Sequence, residues 1–184
     1  MNEGKTRVKN NIWQKGYVQV YTGNGKGKTT AALGLAVRAA GAGLRVFIGQ
    51  FVKGMEYSEI VALRRFEDLI TVKQYGSGCY IYNRPEVADI IAAENGLDEV
   101  REVIHSGNYK VVILDEANIA TYFSLFSVGK LLALIDSRPD DVELVITGRK
   151  ADQRVIERAD LVTEMQEVRH YYVRGVEARH GIES

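Results

Sequence analysis

Cysteine is almost absent from this 184-residue chain, which contains Cys79 and no other cysteine. One cysteine cannot form an intrachain disulfide, and such scarcity is typical of a protein that folds in a reducing cytosol. An excess of charge of either sign is also absent, because 24 lysines and arginines balance 24 aspartates and glutamates. This balance argues against a general nucleic-acid binder, which normally carries a basic surface.

Long apolar stretches and closely spaced metal ligands are lacking as well. No apolar run approaches the roughly 18 residues that a membrane span requires, and residues 1–16 are polar and basic, unlike a secretory signal. The three histidines, His105, His170 and His180, do not have the close spacing of a zinc site. We therefore expect a cytoplasmic protein that makes no use of a membrane, with one domain over residues 1–184 and residues 1–16 as an N-terminal arm.

The sequence does contain a regular alternation of strand-like and helix-like segments. Apolar, β-branched segments predict strands at residues 16–22, 44–51, 69–75, 109–116, 142–148 and 160–165. Helical spacing predicts helices at residues 28–43, 57–66, 85–107, 128–139 and 151–159, with Asn95-Gly96 as a candidate interruption of the third. This alternation favours an α/β fold with a mainly parallel sheet and helices on both faces. Ligands of such sheets bind at the carboxyl ends of the strands.

A glycine-rich stretch, "TGNGKGKTTAA" at residues 22–32, joins the first predicted strand to the first predicted helix. Its glycines allow backbone N–H groups to approach phosphate oxygens, and the helix N-terminus adds a positive end. Lys28 offers a charge to phosphate, and Thr29 offers a hydroxyl to a phosphate-bound Mg²⁺. The stretch departs from G-x-x-x-x-G-K-[ST] at Thr22, where that pattern has glycine. For Lys26, phosphate contact and simple solvation both stay open.

Acidic and basic residues follow three other predicted strands. Asp115 and Glu116 end the apolar run at 109–116, where a carboxylate completes a Mg²⁺ site or orders its waters. The spacing does not decide which acid reaches the metal, and the alternative is a helix N-cap beside a solvated acid. Lys53 in "QFVKG" and Arg149 in "TGR" each contact phosphate or are solvated.

A long loop rich in glycine and tyrosine, "YGSGCYIYNRP" at residues 75–85, follows the third predicted strand. Tyr80 and Tyr82 can cover a large flat ligand, or they pack against the core. No Ser/His/Asp set and no Cys/His pair in the sequence has catalytic spacing. If the chain is an enzyme, the attacking group therefore belongs to the substrate.

Five stretches in a fixed order carry a resemblance to a known family: "TGNGKGKTTAA", "QFVKG", "VVILDEAN", "VITGR" and "EVRHYYVRGVEARHGIE". From about Gly16 to the C-terminus, the chain resembles the P-loop type of ATP:corrinoid adenosyltransferase of cobalamin biosynthesis and salvage. The resemblance implies a RecA-like P-loop fold, a homodimer and a flavoprotein reductant. In the implied reaction, cob(I)alamin or a related corrinoid attacks the ribose 5′ carbon of ATP, and the triphosphate leaves.

The resemblance also implies roles for individual residues. Phosphate contacts are expected from Asn24, Gly25, Lys26, Gly27, Lys28, Thr29, Thr30 and Lys53. The Mg²⁺ that accompanies ATP is expected at Thr29, Asp115 and Glu116, and catalysis is expected from Lys28, Glu116 and Arg149. Cys79, Tyr80 and Tyr82 are expected to face the corrinoid, in a loop where some relatives carry Phe and Trp. The alternatives are a P-loop kinase or ATPase and a RecA-like nucleotide-binding module.

Overall fold

Six β-strands and six α-helices form the part of the chain that the computed structural model describes, residues 13–76 and 85–183. The strands are β1 (Val18–Thr22), β2 (Val46–Gln50), β3 (Ile70–Gln74), β4 (Val111–Asp115), β5 (Glu143–Thr147) and β6 (Leu161–Glu164). The helices are α1 (Lys28–Gly41), α2 (Ser58–Leu63), α3 (Val87–His105), α4 (Ala117–Tyr122), α5 (Val128–Ser137) and α6 (Gln153–Arg158). Short 3-10 turns cover Arg64–Phe66 and Tyr171–Arg174. Every predicted strand and helix is therefore present, most of them slightly shorter than predicted.

The described strands form one parallel sheet in the order β3-β2-β4-β5-β1-β6. Strand β4 is buried at every position, as expected for a parallel strand covered on both faces. The register places Gln50 beside Asp115 and Tyr21 beside Thr147, so the carboxyl ends of neighbouring strands lie at one edge. The arrangement confirms the predicted α/β class and is that of a RecA-like P-loop domain.

Helices cover both faces of the sheet. On one face, α1 presents Ala32 and Ala36, small side chains that let the helix approach β2 and β4 closely. On the other face, α3 and α5 bury Leu97, Leu131 and Leu134 in a second core. Full burial of one leucine stabilises the fold by about 1.5–3 kcal/mol relative to exposure. The two cores hold the sheet rigid from both sides, and with it the loops at its carboxyl edge.

Helix α3 passes through Asn95-Gly96 without a break, so the candidate interruption does not form. A Cβ atom at Gly96 would lie 2.3 Å from the ring of Tyr75, which follows β3. The glycine therefore makes room for an aromatic side chain inside the helix packing. Tyr75 also donates a hydrogen bond to Glu99 of α3, at 3.0 Å. Packing against a ring therefore explains the glycine that made Asn95-Gly96 a candidate interruption of the helix.

Helix α4 and the 3-10 turn at Tyr171–Arg174 were not predicted. Helix α4 is only six residues long, buries the polar Asn118 and Thr121 and exposes Tyr122. Its sequence therefore lacks the apolar spacing by which a helix is predicted. Its position directly after β4 matters for the site, because it begins beside Asp115.

The predicted N-terminal arm is described only at its end. Trp13 is partly buried against the core on the α1 face, and the Gly16 N–H donates to the Asp140 carbonyl at 2.7 Å. Residues 1–12 lie outside the described residues, so the arm and the single domain over 1–184 stay predictions. Within residues 13–76 and 85–183, no helix has the length and apolar character that crossing a membrane requires.

Candidate functional site

Four loops meet at the carboxyl edge of the sheet, after β1, β2, β4 and β5. Each contains a residue with positive φ: Gly23 (91°), Val52 (63°), Glu116 (60°) and Gly148 (131°). For Val52, a β-branched residue, this backbone conformation costs on the order of 1–3 kcal/mol. Such strain persists only where the surroundings impose it, and it is concentrated at functional sites.

The first of these loops, residues 23–28, is called the phosphate loop below. Its glycines are required by close packing as well as by backbone conformation. A Cβ at Gly23 would lie 2.4 Å from the Met165 carbonyl oxygen, and one at Gly25 would lie 2.7 Å from the same atom. The Gly25 N–H donates to that carbonyl at 2.6 Å. The segment after β6 therefore lies directly against the phosphate loop.

Lys28 begins α1, and its side chain lies inside the phosphate loop. Its ammonium donates to the carbonyl oxygens of Gly23 at 2.8 Å and Gly25 at 2.7 Å. Burial lowers the pKa of Lys28, and the negative charge of Glu116 opposes that shift. A positive charge and the N-terminal end of a 14-residue helix thus coincide at the loop, which favours an anion there.

Asp115, the last residue of β4, is the centre of a buried hydrogen-bond network. Its carboxylate accepts hydrogen bonds from Thr29 Oγ1 at 2.8 Å, Thr147 Oγ1 at 2.7 Å, Lys53 Nζ at 2.8 Å and Gln50 Nε2 at 3.1 Å. A buried carboxylate is costly unless it is paired and hydrogen-bonded, and here both conditions are met. This Asp115 network joins the start of α1 to the ends of β2, β4 and β5.

Lys53 reaches the network from the loop that follows β2. Its ammonium also lies 3.3 Å from Thr29 Oγ1, so it borders the start of α1. Burial acts to lower the pKa of Lys53, but the adjacent Asp115 carboxylate, together with Glu116 and Glu59, raises it overall. The strained backbone at Val52 immediately precedes this side chain. Lys53 is therefore held as a charged group at the site.

Glu116 occupies the N-cap position of α4, but its side chain makes no capping hydrogen bond. Its backbone N–H donates to Thr147 Oγ1 at 3.0 Å, which fixes the turn after β4. Burial and the neighbouring charge of Asp115 raise the pKa of Glu116, while Lys53 and Lys28 act to lower it. The Glu116 side chain is thus partly buried, makes no capping hydrogen bond and is surrounded by charged groups. A capping acid exposed to solvent would have none of these properties.

Arg149 follows β5 and is exposed at the rim of the site. Its positive charge acts to lower the pKa of both Lys28 and Glu116. The preceding Gly148 is packed so closely on α4 that an added Cβ would lie 3.0 Å from Asn118 Cβ. Asn118 Nδ2 donates to the Gly148 carbonyl at 3.3 Å and ties α4 to this loop.

The Lys26 side chain contacts residues that lie far along the sequence. Its ammonium donates to the Ile182 carbonyl and to Glu183 Oε1, both at 2.8 Å, and to the Tyr171 hydroxyl at 3.3 Å. The hydrogen bond to Glu183 raises the pKa of Lys26 and outweighs a small effect of burial. Phosphate contact stays a prediction for Lys26, and in the structure its partners belong to residues 165–183, called the C-terminal segment below.

A groove lies between the loop before α2 and the C-terminal segment. It has a volume of about 470 Å³ and is lined by Met55, Glu56, Tyr57, Ser58, Val61 and His180. The Lys53 ammonium lies 5.8 Å from the centroid of the Tyr57 ring, so the groove adjoins the Asp115 network. Nothing in the sequence pattern indicated it, because its two walls are more than a hundred residues apart in the chain.

The remaining predicted residues differ in what the structure says of them. Asn24, within the phosphate loop, and Thr30, in the first turn of α1, are both exposed. Cys79, Tyr80 and Tyr82 lie outside the described residues. Two members of the Asp115 network, Gln50 and Thr147, were not predicted from the sequence. Each is a polar residue that ends an otherwise largely apolar strand, and this pattern could have identified them. Tyr171 and Glu183 were also not predicted, and no spacing pattern connects them to the loop.

Comparison with known proteins places these features in one family. The sequence model described as "ATP:corrinoid adenosyltransferase BtuR/CobO/CobP" matches residues 14–184. A corrinoid adenosyltransferase of Pseudomonas aeruginosa is 35% identical over 171 residues, covering 92% of this chain and 84% of its own length. One of Sinorhizobium sp is 32% identical, covering 92% and 81%. One of Escherichia coli K12 is 32% identical, covering 92% and 86%.

Proposed function

The chain belongs to the ATP:corrinoid adenosyltransferase family, and from this membership we propose that it transfers the 5′-deoxyadenosyl group of ATP to a corrinoid. The observation that carries the proposal is the family match over residues 14–184, which include all four loops of the site. A P-loop kinase or ATPase and a RecA-like binding module are not favoured, because several relatives that match 92% of the chain are named corrinoid adenosyltransferases.

In the proposed reaction, the 5′ carbon of ATP forms a bond to the cobalt of a corrinoid in the cobalt(I) state. Cobalt supplies both electrons of the new bond, and the triphosphate leaves with the electron pair of the broken carbon–oxygen bond. The nucleophile therefore arrives with the substrate and needs no base to activate it. What the protein must provide is position and stabilisation of the departing triphosphate.

The phosphate loop and its neighbours are suited to that task. Backbone N–H groups at the start of α1, together with Asn24 and Thr30, are proposed to bind phosphate oxygens. Lys28 places a positive charge inside the loop, Lys53 borders Thr29, and Arg149 stands at the rim. In this proposal, these three cations share the negative charge that develops on the leaving group.

The oxygen donors beside the loop fit Mg²⁺, which binds oxygen ligands. Thr29 Oγ1 and Asp115 Oδ1 are in contact, and Glu116 follows Asp115 directly. The raised pKa of Glu116 reflects burial and repulsion by Asp115, a repulsion that a dication would offset. In this proposal, these residues hold Mg²⁺ or order its waters, and the ion neutralises part of the triphosphate charge.

The remaining proposals concern the surroundings of the reaction. Cys79, Tyr80 and Tyr82 are proposed to face the corrinoid, and a flavoprotein is proposed to reduce it. The enzyme is proposed to act as a homodimer in the cytoplasm, without a nucleic-acid or membrane partner. Chemical cross-linking and sedimentation of the purified protein test the dimer independently of activity.

The reaction is tested with purified protein, ATP, Mg²⁺ and chemically reduced cobalamin. We expect adenosylcobalamin, measured by its absorbance spectrum, and an equal amount of triphosphate, measured by phosphorus NMR. Formation of ADP and phosphate without adenosylcobalamin would contradict the proposal and support a kinase or ATPase. The Asp136→Asn variant is the matched control, because Asp136 pairs with Arg158 on an exposed surface away from the loops.

A further inference from the structure

Three residues, Lys26, Tyr171 and Glu183, form a latch between the phosphate loop and the C-terminal segment. We propose that this latch preorganises the phosphate loop for ATP, so that Tyr171 and Glu183 are positioning residues that act through Lys26. The inference rests on the proposed function for the identity of the ligand, ATP. The latch itself consists of contacts between described residues.

The latch is a compact polar network. Lys26 donates to Glu183 and to the carbonyl of Ile182, and it lies within hydrogen-bond distance of the Tyr171 hydroxyl. The Glu183 carboxylate also accepts from the Tyr171 hydroxyl and from the Arg179 N–H, the latter at 2.8 Å. One carboxylate near the C-terminus thus gathers donors from the loop, from the 3-10 turn and from its own turn.

A second attachment lies one residue earlier in the loop. The Gly25 N–H donates to the Met165 carbonyl, so adjacent loop residues contact the two ends of the C-terminal segment. Fixing the backbone of a residue costs conformational entropy, and glycine loses more freedom than other residues. Because the latch holds a glycine-rich loop in place, less of that cost falls on ATP binding.

The C-terminal segment has little apolar anchorage of its own. Val168, Tyr172 and Val173 are 94%, 73% and 79% exposed. The same segment carries His180, which lines the groove opposite Tyr57. Release of the latch would therefore loosen the loop and also allow His180, in one wall of the groove beside Lys53, to move.

The test is a double-mutant cycle on MgATP binding, measured by calorimetry. The variants are Lys26→Met, Glu183→Gln, Tyr171→Phe and the Lys26→Met/Glu183→Gln pair. Because lost preorganisation weakens binding without removing a ligand contact, we expect Glu183→Gln and Tyr171→Phe each to raise the Kd of MgATP on the order of fivefold. We expect kcat at saturating ATP to change by less than about twofold in these two variants. We expect Lys26→Met to raise the Kd at least as much, and the pair to bind no more weakly than Lys26→Met alone.

Two results of this binding cycle would overturn the inference. Additive losses in the pair would mean that Lys26 contacts phosphate independently of Glu183, and unchanged affinity in both Glu183→Gln and Tyr171→Phe would mean that the latch has no effect on ATP. Tyr171→Phe removes one oxygen atom, so it keeps the test available if Glu183→Gln does not fold. Glu94→Gln is the matched control, because Glu94 pairs with Lys130 on the surface; its Kd is expected to stay unchanged.

Trypsin supplies a measurement that does not involve ATP chemistry. Arg174 and Arg179 lie in the C-terminal segment, and we expect faster cleavage there in Glu183→Gln than in the parent chain. Equal cleavage rates would contradict the latch. Calorimetry also separates this inference from the proposed function: a parent chain that binds MgATP without forming adenosylcobalamin would refute the function and leave the cycle interpretable.

Discussion

Two polar networks flank the phosphate loop, and their surroundings differ. The latch contacts Lys26 within the loop, and the Asp115 network contacts Thr29 immediately after it. The Asp115 network is buried between strand ends, whereas the latch lies at the surface, with the Lys26 side chain 42% exposed. Electrostatic interactions are strong in a buried setting of low dielectric, and a broken buried pair leaves a costly unpaired charge. Exposed pairs are weaker, because water and salt screen them. The start of α1, directly after the loop, is therefore held by strong buried contacts, whereas the Lys26 side of the loop is held by weaker exposed ones.

Replacement of Asp115 by alanine is expected to have the largest effect. It would remove the buried acceptor of four donors, among them the Lys53 ammonium and the fully buried Thr147 hydroxyl, so we expect a loss of about 3–5 kcal/mol in the free energy of unfolding. Urea denaturation followed by circular dichroism measures it. Asp136→Asn is the control, with an expected change within about 0.5 kcal/mol. A loss below about 1 kcal/mol for Asp115→Ala would mean that the buried network does not hold the fold.

The two lysines of the phosphate loop extend the comparison to function. Lys28 lies inside the loop and Lys26 points away from it. Removal of a preorganised charge at the leaving group costs on the order of 10²–10³ in kcat. We expect that loss for Lys28→Met in the adenosylation assay, and a kcat close to that of the parent chain for Lys26→Met. Similar kcat losses in both variants would remove the distinction between the two lysines.

Two helical glycines differ in their surroundings, so the same substitution to alanine is expected to have opposite effects on stability. Gly96→Ala places a Cβ against the Tyr75 ring, and such overpacking is expected to destabilise by about 1–3 kcal/mol. Gly34→Ala in α1 meets nothing within 4 Å and is expected to stabilise by about 0.5–1 kcal/mol. Thermal unfolding compares both variants with the parent chain. A shift of the same sign for both would show that helix propensity, not packing, decides these sites.

The smallest effect is expected for an isolated surface pair. Glu94→Gln removes the partner of Lys130, and both side chains are largely exposed. We expect a change in unfolding free energy within about 0.5 kcal/mol, and less at 1 M salt. Denaturation at low and high salt measures it. A loss above about 1 kcal/mol would mean that exposed pairs contribute more here than the contrast between the two networks assumes.

The part of the site that sequence reasoning predicted is the part built from local patterns. The run of strand, glycine-rich loop and helix placed Lys28 and Thr29, and an apolar strand ending in acids placed Asp115. The hydrogen bonds that Gln50 and Thr147 make with Asp115 depend on which strands are neighbours, and strand order is not a local property. The partners of Lys26 are about 145 residues or more distant in sequence, so no spacing rule relates them to the loop.

The order of strands in the sheet has a consequence for how the protein is made. Strand β1, which leads into the phosphate loop, pairs with β5 and β6, which follow the other described strands in sequence. A nascent chain can assemble β2, β3 and β4 earlier, but β1 has no described neighbour in the sheet until β5 (Glu143–Thr147) has been synthesised. Long-range pairing of this kind slows folding. The capacity to hold a nucleotide is therefore expected to arise only after β5 and β6 have been synthesised, more than a hundred residues after the phosphate loop.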